Sequence, residues 1–188
     1  FNSHPTRPWA RWVAKGVDLM IVGLFAAPVI SAVGHFLERI LVSAGPDAYG
    51  WTIVSITVAV YGIALVLYDA ICVMAFGRTT GKALMGIRVN AHGGAKPSFG
   101  RSLSRSGLMW LLGLGLIIPF VAVITYVIGY ILLKWRDQTP WDRAASVVVA
   151  TTPVEAWRWA LGLALIVGGF LEIYSDLLVV PLIYLPPY

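Results

Sequence analysis

The chain has 188 residues, 59% of them hydrophobic and 12% charged, with a formal net charge of +5. Soluble domains carry about 25% charged residues, so this composition and a mean hydropathy of +0.80 exclude a soluble globular domain and indicate a polytopic membrane protein. The pI near 9.6 does not make it a nucleic-acid binder. Its basic residues gather in short segments beside apolar runs, where topology signals sit.

The first apolar run extends from about Val17 to Phe36, preceded by Arg7, Arg11 and Lys15. Asp18 inside the run argues against a cleaved signal peptide. A charge at membrane depth costs roughly 2.5–3.5 kcal/mol on insertion scales, so Asp18 calls for a partner and a use. At about 100° per residue, Arg11 and Asp18 fall on nearly the same helix face, two turns apart. Lys15 lies between them, and the three form one polar stripe on an apolar helix. Counted from Val13 at 1.5 Å per residue, Asp18 lies within about 10 Å of the inner surface. His35, Glu38 and Arg39 mark the far end, as an exit vestibule or a plain polar rim.

The second run, Ile53 to Phe76, carries Asp69 at a depth similar to that of Asp18, together with Cys72, the one cysteine. Two carboxylates at one depth on neighbouring helices make Asp18 and Asp69 candidate ion-binding residues, holding sodium or sharing a proton by like-charge coupling. Pairing of Asp69 with Arg78 or Lys82 is the plainer alternative. The 77–106 segment is crowded with Arg78, Lys82, Arg88, Lys96, Arg101 and Arg105, whereas the 37–50 loop holds only Arg39. The positive-inside rule therefore places the N-terminus and the 77–106 loop in the cytoplasm. Thr79, Thr80, Ser98, Ser102 and Ser104 read as ordinary loop polarity.

The third run, Leu108 to Leu133, contains Pro119, Gly113, Gly115 and Gly129, with Lys134, Arg136 and Arg143 after it. Either it crosses once with a kink, or it enters and returns as a re-entrant helical hairpin, which keeps those basic residues inside. Re-entrant backbone is tolerated where protein buries it. The fourth run, Ala156 to Tyr174, begins at Trp157 and Trp159 and crosses outward; the apolar tail from Leu177, with Pro181, Pro186 and Pro187, lies along the outer interface or on another chain. Each run is near the ~20 residues that cross ~30 Å of hydrocarbon, and none has the alternation of a barrel strand. The expected fold is all-α: a polytopic transmembrane helical bundle with three spans plus the span or hairpin. No internal repeat is visible.

Three motifs resemble the RDD family of membrane proteins. They are RWVAKGVDLM with Arg11 and Asp18, GRTTGKALMGIRV followed by AHGG, and DQTPWDRAASVVV with Asp142. The second contains Gly77, Gly81, Lys82 and Gly86, the cytoplasmic signature loop; its likeness to a phosphate-binding loop fails, since the spacing is one short and Ala83 stands where Ser or Thr would hold magnesium. Arg11, Asp18 and Asp142 then match the arginine and two aspartates that give the family its name. The resemblance covers about residues 8–150, so an RDD-like domain over 1–150 and an extension with one helix over 151–188 are expected. Lys15 and that extension depart from the family pattern.

The resemblance implies an integral membrane protein, for whose family ion transport, including sodium–proton exchange, has been proposed. Two functions compete. One is a cation- or proton-coupled secondary transporter using intramembrane carboxylates. The other is a non-catalytic accessory or stabilising subunit of a larger membrane complex, in which Arg11, Asp18 and Asp142 form a structural clasp. No metal site, cofactor or catalytic set is expected: His4 and His92 are isolated, and no His, Cys or carboxylate group has ligand spacing. The partners expected are the lipid bilayer and either further copies of the chain or other membrane subunits, in a prokaryotic inner membrane.

Overall fold

The computed structural model describes residues 7–41, 46–113, 119–136 and 138–183. The chain order is α1 (Pro8–Leu41), α2 (Pro46–Phe76), α3 (Thr80–Leu84), β1 (Ile87–Ala91), α4 (Phe99–Leu112), α5 (Pro119–Arg136), α6 (Pro140–Ala144), β2 (Val147–Thr151) and α7 (Ala156–Ile183). Continuous apolar sequence makes α1 and α2 long. The 34 residues of α1 span about 51 Å at 1.5 Å each, well beyond ~30 Å of hydrocarbon. Two helical segments, Pro8–Leu37 and Trp51–Phe76, are long and apolar enough to cross a membrane. Their outward faces carry Leu24, Phe25, Val29, Val54, Ile63 and Leu67, all exposed. An apolar surface of that extent belongs in lipid rather than water.

The helices are longer than the apolar runs alone imply. Residues 37–41 and 46–52 extend α1 and α2, leaving a short connection where a fourteen-residue loop was expected. The helix of the fourth run, α7, likewise passes Tyr174 and runs through Pro181 to Ile183, so the start of the expected tail is helical. Residues 184–188 and the side chain of Glu38 lie outside the described residues. The third run is two helices, α4 and α5, rather than one. Thr125 Oγ1 donates to Gly113 O at 3.3 Å, bringing α5 beside the end of α4. Gly16 of α1 lies against Ile166, where a Cβ would come within 2.5 Å, which is how closely α7 approaches α1.

An all-helical fold has no place for what joins these helices at one end. There β1 and β2 pair antiparallel, with Val89 opposite Val149. Burial along β1 alternates, with Ile87, Val89 and Ala91 inward and Arg88 exposed, the period of a half-buried strand. Val73 of α2 and Ala145 pack on Val89 and Val147. Ala10, Val13, Ala14 and Val17 of α1 pack on Met85 and Ile87. The sheet thus seals one end of the α1–α2 pair.

The structure also contains an internal repeat that the sequence hides. Thr79 and Thr139 are the N-caps of two five-residue helices, and each side chain accepts from the backbone N–H three residues on, Lys82 or Asp142. Met85 N donates to Gly81 O at 3.0 Å, and Ala145 N to Trp141 O at 3.2 Å. Gly86 and Ser146 then turn the chain into its strand at φ +63° and +52°. Every counterpart lies sixty positions later, as Thr79 and Thr139 do, and Phe76 and Arg136 end the helices that precede the two units. Val89 pairs with its own counterpart, Val149, and the register runs symmetrically to either side. That is the pairing a two-fold axis through the sheet requires. The second unit therefore reproduces α2–α3–β1 as α5–α6–β2.

Candidate functional site

Six charged side chains are buried together at the sheet end of the molecule: Lys15, Asp18, Asp69, Lys82, Arg105 and Asp142. Arg11 joins them, its side chain 16% exposed. Five elements contribute, so the cluster is built by the fold rather than by any one segment.

Asp18 is held by the α3 turn. Its Oδ2 accepts from Thr79 Oγ1 at 2.6 Å, and its Oδ1 accepts from Gly81 N at 2.8 Å and Tyr68 Oη at 3.4 Å. All three donors are neutral, and among the described residues no cation lies within ion-pair distance of this carboxylate. Gly81 is required by this arrangement. A Cβ there would overlap Ala14 O and come within 2.9 Å of Asp18 Oδ1. Gly77 and Gly86 have positive φ, +70° and +63°, which glycine adopts without the steric penalty other residues incur. The glycines of the signature loop therefore shape one turn and let it touch α1.

Asp69 is engaged differently. Lys82 Nζ and Ser106 Oγ both donate to it at close range, and Arg105 Nη1 lies 3.3 Å from its Oδ2. Arg105 also reaches Asp142, with Nε donating to Oδ1 at 2.7 Å. Arg11 Nη1 donates to the other oxygen of Asp142 at 2.9 Å. One guanidinium thus bridges two carboxylates, and Asp142 ties α1 to α4 through α6. Burial of Asp142 works to raise its pKa. Arg105 and Arg11 prevail and hold it below the usual carboxylate value.

The residues singled out by sequence fall into three sets. Arg11 and Asp142 meet each other. Asp18 and Asp69 both lie in the cluster, but each has its own donors and no group bridges them directly. Arg78 and Arg143 are exposed, outside the buried cluster. Arg105, Thr79 and Ser106 are central, although the sequence reads Arg105 as a topology charge and Thr79 as loop polarity, and nothing there singles out Ser106. A signal exists for α4: Ser102, Arg105, Ser106 and Met109 recur at helical spacing and all are buried. Among the described residues no three His, Cys, Asp or Glu side chains could share a metal ion.

A cavity of about 110 Å³ opens beside the cluster, with Arg11, Lys15, Asp18, Lys82, Arg105 and Trp141 on its wall. At roughly 10–15 Å³ per water it has room for several water molecules. Of the cluster's charges, Lys15 is the one whose head group has no partner among the described residues: its Nζ is buried and makes no hydrogen bond to any of them.

Long lipid-facing helices closed at one end by a buried charge cluster define an integral membrane protein. The chain matches the RDD family over residues 5–146 and belongs to it. No curated protein and no solved structure matches the chain significantly. The family match ends before α7.

Proposed function

We propose that the chain is a small cation- or proton-coupled secondary transporter, non-enzymatic, set in a prokaryotic inner membrane with its N-terminus and sheet in the cytoplasm. The observation that supports it most is Asp18. A carboxylate 1% exposed, on a cavity wall and held by neutral donors alone, is the one of the three that no cation of the chain pairs directly, and so the one left to meet a mobile ion or proton. Intramembrane carboxylates of that kind mark ion and proton pathways. Arg105 lends the cluster a means of response, since neutralising either carboxylate it bridges shifts it toward the other.

In this reading α1, α2 and α7 cross the membrane, and α4 and α5 form a re-entrant hairpin. Support for the hairpin comes from the Arg105–Asp142 pair at 2.7 Å, because it joins the first half of α4 to the helix that follows α5. One kinked span would leave those residues on opposite sides, and the 14 and 18 residues of α4 and α5 are short of the ~20 that cross the hydrocarbon. With the hairpin, Lys134 and Arg136 stay on the positively charged side. A pathway of so few helices calls for further copies of the chain.

One observation favours an accessory subunit instead. Asp69 and Asp142 are each held by two cations of the same chain, which needs no ligand and reads as a clasp. Two measurements separate the readings. Proteoliposomes holding the purified chain should acidify or alkalinise when sodium is added outside, against empty vesicles as reference. A silent vesicle, together with a stoichiometric larger complex in mild-detergent purification, would replace transport with the accessory role.

A further inference from the structure

We infer that the cavity between the first turns of α1 and the α4–α5–α6 face binds a phosphate-type oxyanion through Lys15 and Arg11. Lys15 is 9% exposed, and its Nζ has no hydrogen-bond partner. An ammonium carries three donors and no acceptor. Burying it unpaired costs several kcal/mol in ordinary circumstances, so a site that keeps one there is short of an acceptor. Arg11 adds a second vacancy, for its Nη1 serves Asp142 while its Nε is buried without a partner. Both side chains line the same cavity.

The protein's own carboxylates do not fill the need. Asp18 takes Thr79, Gly81 and Tyr68; Asp69 takes Lys82, Arg105 and Ser106; Asp142 takes Arg11 and Arg105. Four cations (Arg11, Lys15, Lys82, Arg105) against three carboxylates leave one positive charge. An anion balances it. A guanidinium edge beside an ammonium suits the several oxygens of a phosphate better than a single-point halide. The cavity's outer rim supplies Trp12 and Tyr130, which are exposed by 46% and 37%, rings of the kind that sit at the headgroup level. The same phosphate chemistry is offered by an anionic phospholipid headgroup or by free phosphate.

This site does not rest on transport, because its binding is read in detergent, where no flux exists. The full chain, stripped of lipid in dodecyl maltoside, is titrated with inorganic phosphate or with phosphatidylglycerol, and its thermal midpoint is followed. Potassium chloride at matched ionic strength is the control. A rise with both ligands assigns the site to free phosphate, and a rise with phosphatidylglycerol alone assigns it to a lipid headgroup. Lys15→Met should weaken that response about tenfold or more, the loss expected for one charge-assisted bond, whereas Lys15→Arg and the exposed Lys134→Gln should keep it. Without ligand, Lys15→Met should melt higher than the parent chain, since it removes an unpaired buried charge. No rise with either ligand overturns the proposal. So does a rise unchanged in Lys15→Met, or a ligand-free Lys15→Met chain that melts lower.

Discussion

Replacing Gly81 by alanine should loosen the grip of the signature turn on α1. A Cβ at that position overlaps Ala14 O and lies 2.9 Å from both Ala14 C and Asp18 Oδ1. Two of the three obstacles are backbone, so no side chain can swing aside. The turn must retreat by about 1 Å or more, which overstretches the 2.8 Å bond from Gly81 N and the 2.6 Å bond from Thr79 Oγ1 to Asp18. Each hydrogen bond to a charged group contributes about 1.5–3 kcal/mol, so losing both costs roughly 3–6 kcal/mol. For a chain of this length that is a drop of roughly 6–24 °C in thermal midpoint, read by tryptophan fluorescence in detergent. Gly107→Ala is the matched control, because a Cβ there meets nothing within 4 Å. Alanine is the better helix former by about 1 kcal/mol, so that variant should melt level or higher. If Gly81→Ala melts within about 2 °C of the parent chain, the close approach of the turn to α1 is not what holds Asp18.

Arg105→Ala should be the most destabilising charge removal, at about 3–5 kcal/mol, because it leaves two buried carboxylates short of a partner; exposed Arg143→Ala should stay within about 0.5 kcal/mol in the same melt. Arg11→Ala and Asp142→Ala should be non-additive by about 0.5–3 kcal/mol in a double-mutant cycle, since the two side chains touch at 2.9 Å. Simple additivity would remove the clasp. The pH dependence follows from Asp142, whose folded pKa lies below its ordinary 3.8. A depressed carboxylate adds stability that is complete above the unfolded pKa and fades as pH falls through the folded one. The midpoint should therefore be flat above about pH 5 and fall below about pH 4, and Asp142→Asn should flatten that fall.

Long apolar runs made α1 and α2 legible, because few soluble arrangements accept so many consecutive hydrophobic residues. Charges within such runs are costly, which is why Asp18 and Asp69 stand out in the sequence, whereas Arg11 does so by sharing a helix face with Asp18 and Asp142 through the family resemblance. The five-residue strands did not, since IRVNA and VVVAT are short against a search for spans. Their alternation in β1 and their β-branched residues in β2 are strand signals in hindsight. The repeat was harder still. Its two units place Gly81 opposite Trp141, Lys82 opposite Asp142 and Gly86 opposite Ser146, so the backbone conformation persists while the side-chain chemistry is exchanged. Trp141 fills space near Gly113 and Gly129, while Gly81 in the other unit leaves room for α1. That exchange is what makes one half of the site receive Asp18. The donors of Asp18 escaped notice because Thr79, Gly81 and Tyr68 carry no charge, and a charge pattern cannot reveal a neutral cradle.

The most direct test of the account is sodium-driven proton movement in proteoliposomes with the parent chain and with Asp18→Asn, compared at equal protein insertion. Asn keeps the shape but loses the charge that a moving ion would balance. Exchange is expected in the parent chain and none above empty vesicles in the variant. Equal exchange in the two would contradict it and leave Asp18 as the anchor of the signature turn alone.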